Sequence, residues 1–201
     1  DADEHVELAE PQVAQDLDAL DRVDLRVQVP HADAHLIDLI AAVVRLEGPL
    51  HREVLFRRVA HAYGIARLTK SVEDRIAGLL DRAAQGGKAR VQGIFVWPPG
   101  ADPAARTTVR GPSRGGDLRE PEHVPPEEVA AAAELVLRSS VALTRADLAR
   151  GAALLMGYRR VTPRVREAFE SGIDALAARG GCVVEGDRIR EARGQTTEGI
   201  S

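Results

Sequence analysis

The sequence predicts a mainly helical α+β chain containing two copies of one small domain, each with three helices and a terminal β-hairpin. Three observations carry this prediction. The second half overlays the first when the sequence is shifted by 93 residues. Apolar residues recur at helical spacing three times in each copy. Each copy then ends on two short β-prone runs joined by a glycine-containing turn.

The repeat is read residue by residue. Leu50 falls on Leu143, Leu55 on Leu148, Gly64 on Gly157, Thr69 on Thr162, Val72 on Val165, Ile76 on Phe169, Leu80 on Ile173 and Gly93 on Gly186. So long a period implies duplication of a folding unit rather than a solenoid. The resulting organisation is an acidic linker over 1–30, a first copy over 31–99, a Pro/Gly/Arg linker over 100–121, a second copy over 122–192 and a tail over 193–201. Within the leader, periodicity from about Val13 to Leu25 fits a short helix or disorder equally.

The first helix of copy one is expected from about Ala34 to Leu46, with Leu36, Leu39, Ile40, Val43 and Leu46 on one face. Its counterpart spans about Pro125 to Arg138, with Glu127 and Glu128 suiting the positive end of the helix. Val129, Ala132, Ala133 and Val136 form its inner face, and short apolar links, Gly48-Pro49-Leu50 and Val141-Ala142-Leu143, follow the two helices. The second helices run from about Arg52 to Tyr63 and from about Arg145 to Met156. His51 precedes the former as a capping or packing residue, and Thr144 with Asp147 has capping-box spacing at the latter. Gly64 and Gly157 stand where a helix ends in a left-handed cap. The third helices start after Thr69 and Thr162, each an N-cap. Hairpins follow, over Ala89–Trp97 with its turn at Gln92-Gly93, and over Cys182–Ile189 with its turn at Glu185-Gly186.

Three helices and a hairpin, with a glycine in the turn between the second and third helices, read as a winged helix-turn-helix. In that arrangement the third helix enters the major groove with its amino end towards bases and phosphates. The residues bracketing that end are basic: Arg67, Lys70 and Arg75 in copy one, and Arg159, Arg160, Arg164 and Arg166 in copy two. These seven are the expected nucleic-acid-binding residues, contacting mainly phosphates. Lys88, Arg90 and Arg188 at the wings, and Arg106, Arg110 and Arg114 in the linker, extend the expected footprint. Acids on the outer faces of the third helices, Asp74, Glu167 and Asp174, oppose phosphate contact.

Gly48-Pro49-Leu50-His51, the Gly64 turn with Arg67, Gly93-Ile94-Phe95-Val96-Trp97-Pro98 and Leu155-Met156-Gly157-Tyr158-Arg159-Arg160 resemble a bacterial domain family of unknown function. That family sits at the carboxyl end of large superfamily-1 helicases, often with a Vsr-like endonuclease domain and an association with phage defence. The resemblance covers roughly residues 31–192 and implies the tail of a helicase-nuclease, with the motor and nuclease motifs elsewhere; the expected location is cytoplasmic, the single cysteine fitting a reducing compartment. It offers no catalytic residues to carry over. The first residue, Asp1, and the single methionine, Met156, also read as a piece of a longer protein.

Composition narrows the function. Of 201 residues, 44% are hydrophobic, which supports packed cores. The net charge of −4 is uneven, because residues 1–30 hold nine acids against two bases and the remainder is basic. Six aromatic residues are too few for a base-stacking platform. The single cysteine, Cys182, excludes an internal disulfide and reads as a buried thiol. No apolar run approaches the roughly 18 residues of a membrane span.

No phosphate-binding loop, dinucleotide fingerprint or His-Glu-x-x-His motif is present. His31 and His35 have metal-pair spacing without further ligands, and Ser139-Ser140 have no activating histidine. No catalytic residue, metal, cofactor, membrane or small-molecule substrate is therefore expected. The expected partners are DNA and the helicase body of the parent chain. The competing expectation is a docking module with Trp97, Phe95 and Tyr158 as anchors, although Trp97 reads better as closing the wing onto the core.

Overall fold

The computed structural model describes residues 30–112 and 118–192, with side chains of the first helix from Asp33 onward. The leader up to residue 29, Arg114, the His31 side chain and the tail from Arg193 lie outside the described residues. The described chain is a mainly helical α+β structure with six α-helices and two small antiparallel three-stranded sheets.

Its elements in chain order are α1 (Pro30–Glu47), β1 (Leu50–His51), α2 (Arg52–Ala62), α3 (Lys70–Gln85), β2 (Arg90–Gln92) and β3 (Phe95–Trp97). A 3-10 turn over Pro121–His123 then leads into α4 (Pro126–Arg138), β4 (Leu143–Thr144), α5 (Arg145–Leu155), α6 (Pro163–Ala178), β5 (Cys182–Glu185) and β6 (Arg188–Glu191). The same order of helix, strand, helix, helix and hairpin thus occurs twice.

Each hairpin accepts the short strand from the preceding apolar link. The sheet orders are β1-β3-β2 and β4-β6-β5, with Leu50 opposite Val96 and Leu143 opposite Ile189. The links were expected only as connections. Two residues have no readable period, and the hairpin edge beside them decides that they pair.

Two hydrophobic clusters fill the two sets of elements. The first gathers Leu36, Ile40, Val44, Leu55, Val59, Ile76, Leu80 and Val96. The second gathers Val129, Ala133, Leu137, Leu148, Ala152, Phe169, Ile173 and Ile189. Leu46, expected on the inner face of α1, is instead 65% exposed, and Val44 is buried in its place. The apolar stripe leaves the core in the last turn of α1, where Leu46 faces a cleft shared with Leu118.

Helix α4 is buried on more than one side: Glu128 and Ala130–Ala133 are all buried. Small side chains let α6 come close to it. A Cβ on Gly172 would collide with Val129 and stand 3.0 Å from the Pro126 carbonyl oxygen. No described helix is long and apolar enough to cross a membrane.

Candidate nucleic-acid interface

The turn between α2 and α3 is set by local chemistry. Gly64 takes φ +70°, a left-handed conformation that costs glycine nothing, and the Gly64 N–H bonds the His61 carbonyl at 2.9 Å. Thr69 then opens α3, its hydroxyl accepting from the Val72 N–H at 3.5 Å. The second set repeats this with Gly157 at φ +96° and Thr162 accepting from the Val165 N–H at 3.3 Å, followed by Pro163 at the first helical position.

Of the seven basic residues expected here, four are exposed and make no ion pair among the described residues: Arg67, Arg159, Arg160 and Arg166. The other three meet acids. Lys70 is 82% exposed and pairs with Asp74 at 2.7 Å, one helical turn along α3. Arg75 is only 11% exposed and reaches Asp33 of α1 at 2.9 Å, so it ties α3 to α1 instead of facing outward. Arg164 is exposed but joins Glu120 at 2.9 Å and also Glu122. The Glu122 hydrogen bond raises the pKa of Arg164, and Asp74 does the same for Lys70.

The outer face of α2 adds bases that the sequence reading passed over. Arg57, Arg58 and His61 line a cleft of about 540 Å³ together with Arg67. Arg57 pairs with Glu53, and Arg58 with Glu47 at 3.2 Å, but both remain about 60% exposed. The i,i+4 spacing of Arg57 and His61 and the i,i+3 spacing of Arg58 and His61 on one helix were the available signal.

The expected wing bases stay exposed, two of them with partners on the protein, whereas the linker arginines Arg106 and Arg110 turn inward. Lys88 binds Asp38, and Arg90 donates to the Ala101 carbonyl at 2.9 Å, while Arg188 is exposed. Glu128 of α4 is fully buried and is the reason the linker arginines fold in. Arg110 and Arg119 each reach it at 2.7 Å, and Arg106 stands 3.7 Å away. Burial alone would raise the Glu128 pKa, but the Arg119 and Arg110 hydrogen bonds outweigh it and hold the carboxyl at about 2. Arg110 also donates to the carbonyls of Glu47 and Pro49, at 2.7 and 2.8 Å. One guanidinium thus closes the end of α1 and neutralises an acid of α4.

The aromatic anchors expected for docking are buried. Trp97 is 1% exposed, as its wing-closing reading requires, with the Arg106 guanidinium 5.8 Å from its ring centre. Phe95 is buried, and the Tyr158 hydroxyl donates to the Arg119 carbonyl at 2.7 Å. Burial pushes the Tyr158 hydroxyl up to about 12. Cys182 is buried, and its thiol is pushed up by that burial.

His51 is the cap of α2, its Nδ1 accepting from the Glu53 N–H at 3.2 Å. Burial, then the neighbouring His123, pull its pKa down.

Residues 29–74, less than half of the chain, are similar to an uncharacterised family described as a protein of unknown function (DUF3320). That stretch covers α1, β1, α2, the Gly64 turn and the first turn of α3. It agrees with the resemblance at the level of a family of unknown function. No curated protein matches the chain, and no solved structure does.

Proposed function

We propose that this chain is a non-catalytic nucleic-acid-binding module of a larger bacterial helicase-nuclease, made of two winged helix-turn-helix units that contact mainly the DNA backbone. The observation carrying this reading is the set of exposed arginines at the two glycine turns, Arg67, Arg159 and Arg160, and in the first turn of α6, Arg166, without acidic partners among the described residues. A fixed guanidinium beside the amino end of a helix is a phosphate-binding arrangement. Arg57 and Arg58 extend it on α2. Lys70 and Arg164 contribute less, because phosphate must displace an acid already bound to each. Arg75 acts in the fold. The repeated order of helix, strand, helix, helix and hairpin supports the winged reading, and the similarity over residues 29–74 supports the family.

Fluorescence anisotropy of the full chain with duplex and single-stranded DNA, from 50 to 200 mM salt, tests this. Neutralising about four phosphates gives a log–log salt slope near −3.6 on duplex DNA. Arg159→Glu with Arg160→Glu abolishes binding while the helical circular dichroism stays unchanged. Absence of binding at 50 mM salt and tens of micromolar protein overturns the reading.

A docking module is the second reading. Leu154 and Leu155, adjacent at the end of α5 and each 49% exposed, favour it. It predicts that Leu154→Ser with Leu155→Ser weakens association with the remainder of the parent protein and leaves DNA affinity unchanged.

A further inference from the structure

The start of α2 and the 3-10 turn before α4 bring together His51, Glu53 and His123. One donor atom from each lies within 4.8 Å of the other two. The imidazole rings of His51 and His123 are 4.5 Å apart between centres and tilted by 34°. Glu53 Oε2 is 3.6 Å from His123 Nε2, and the His123 side chain is only 13% exposed. His51 and His123 both line a cleft of about 510 Å³ between α1, α2 and the end of the linker.

We propose that His51, Glu53 and His123 bind a divalent first-row cation, Zn²⁺ foremost, which pins the start of α2 to the turn that leads into α4. Two imidazoles and one carboxylate are a borderline nitrogen and oxygen donor set that zinc accepts at about 2.0–2.2 Å. Tetrahedral bonds of that length hold donors roughly 3.3–3.5 Å apart. The Glu53–His123 spacing is already near this value, and Glu53, half exposed and long, has room to close the rest. The fourth position faces the cleft and takes water or an anion.

The surroundings set the terms. Arg57 engages Glu53 Oε1 and leaves Oε2 towards His123. Arg57 therefore competes with the cation for the carboxylate. His51 spends Nδ1 on capping the Glu53 N–H, so a cation at Nε2 would move the ring proton onto Nδ1. Loading exchanges that cap bond for a metal bond, and the metal then takes over the cap's task of holding the first turn. Arg58, Arg110 and Arg119 line the same cleft with Glu47 and Glu120, so the local field is mixed.

The test is a titration of the chelator-treated full chain with ZnCl₂ against a chromophoric competitor, at constant neutral pH. One Zn²⁺ per chain with a micromolar or tighter Kd is expected. His123→Ala and Glu53→Gln each weaken it at least tenfold, and Arg57→Ala tightens it several-fold. His31→Ala with His35→Ala leaves it unchanged. Should His123→Ala fail to fold by circular dichroism, the exposed Glu53→Gln decides alone. No stoichiometric binding at tens of micromolar Zn²⁺, or binding unchanged in Glu53→Gln, overturns the site. So does binding that vanishes in the His31/His35 variant.

Discussion

Glu128 shows how one side chain acquires a role that its neighbours in sequence do not announce. As an acid in the first turn of α4 it has a sufficient local reason to be there, because it complements the helix dipole. In the folded chain it is fully buried and held by Arg110 and Arg119, with Arg106 beyond. A buried carboxylate of this kind adds little beyond a well-packed apolar group, but stripping one partner leaves buried charge uncompensated. Arg106, Arg110 and Arg119 keep partial access to water, so Glu128→Ala is expected to destabilise the chain by about 1.5–3 kcal/mol in urea unfolding. The pH dependence has a definite sign. The folded carboxyl titrates at about 2, below its ordinary value of 4.5, so its contribution is present above 4.5 and lost as pH falls towards 2. Denaturant melts between pH 6 and 2 should show that loss in the wild type, and Glu128→Gln should lack this carboxyl's share of it.

At the scale of elements, the second set of helices is packed by small residues. Gly172 on α6 lies against Val129, and Ala130, Ala132 and Ala133 are buried along α4. Added volume there pushes the helices apart. Gly172→Ala is expected to cost about 1–3 kcal/mol despite the better helix propensity of alanine, because the new Cβ would overlap Val129. A thermal melt checks this, and an unchanged or raised Tm would contradict the close approach. The caps were legible at this scale. Thr69, Thr162 and Thr144 each accept the backbone N–H of the third residue of the helix they were expected to open. In the Thr144 and Asp147 pair the hydroxyl also donates to the shorter carboxylate at 2.7 Å. The strands β1 and β4 were not legible, because two residues hold no alternation and only a neighbouring edge makes them strands.

At the scale of the whole molecule, the linker joins the two sets of elements directly. Arg110 bonds the carbonyl of the last residue of α1, that of Pro49 just after it, and the carboxylate of α4. Gln92 of β2 donates to Glu127 of α4 at 2.6 Å, and Arg179 at the end of α6 donates to the Arg106 carbonyl at 2.9 Å. These contacts couple the sets, and Arg110 bonds both of them with one guanidinium. Calorimetry should show one unfolding transition for the wild type and two for Arg110→Ala. Retention of one transition at the same Tm would mean that the other contacts suffice.

The sequence by itself determined the duplication, the positions of the helices and hairpins, and the chemistry at each helix start. Those features rest on period, turn glycines and capping hydroxyls, which act within a few residues. Only the tertiary structure decided which arginines face water. Arg67 and Arg159 remain on the surface, whereas Arg75 turns to Asp33 and Arg110 to Glu128, acids 42 and 18 residues away along the chain. The meeting of His51 with His123 belongs to the same class. Charge pairing acts through space, so its partners are set by how the helices and linker pack and not by their order along the chain.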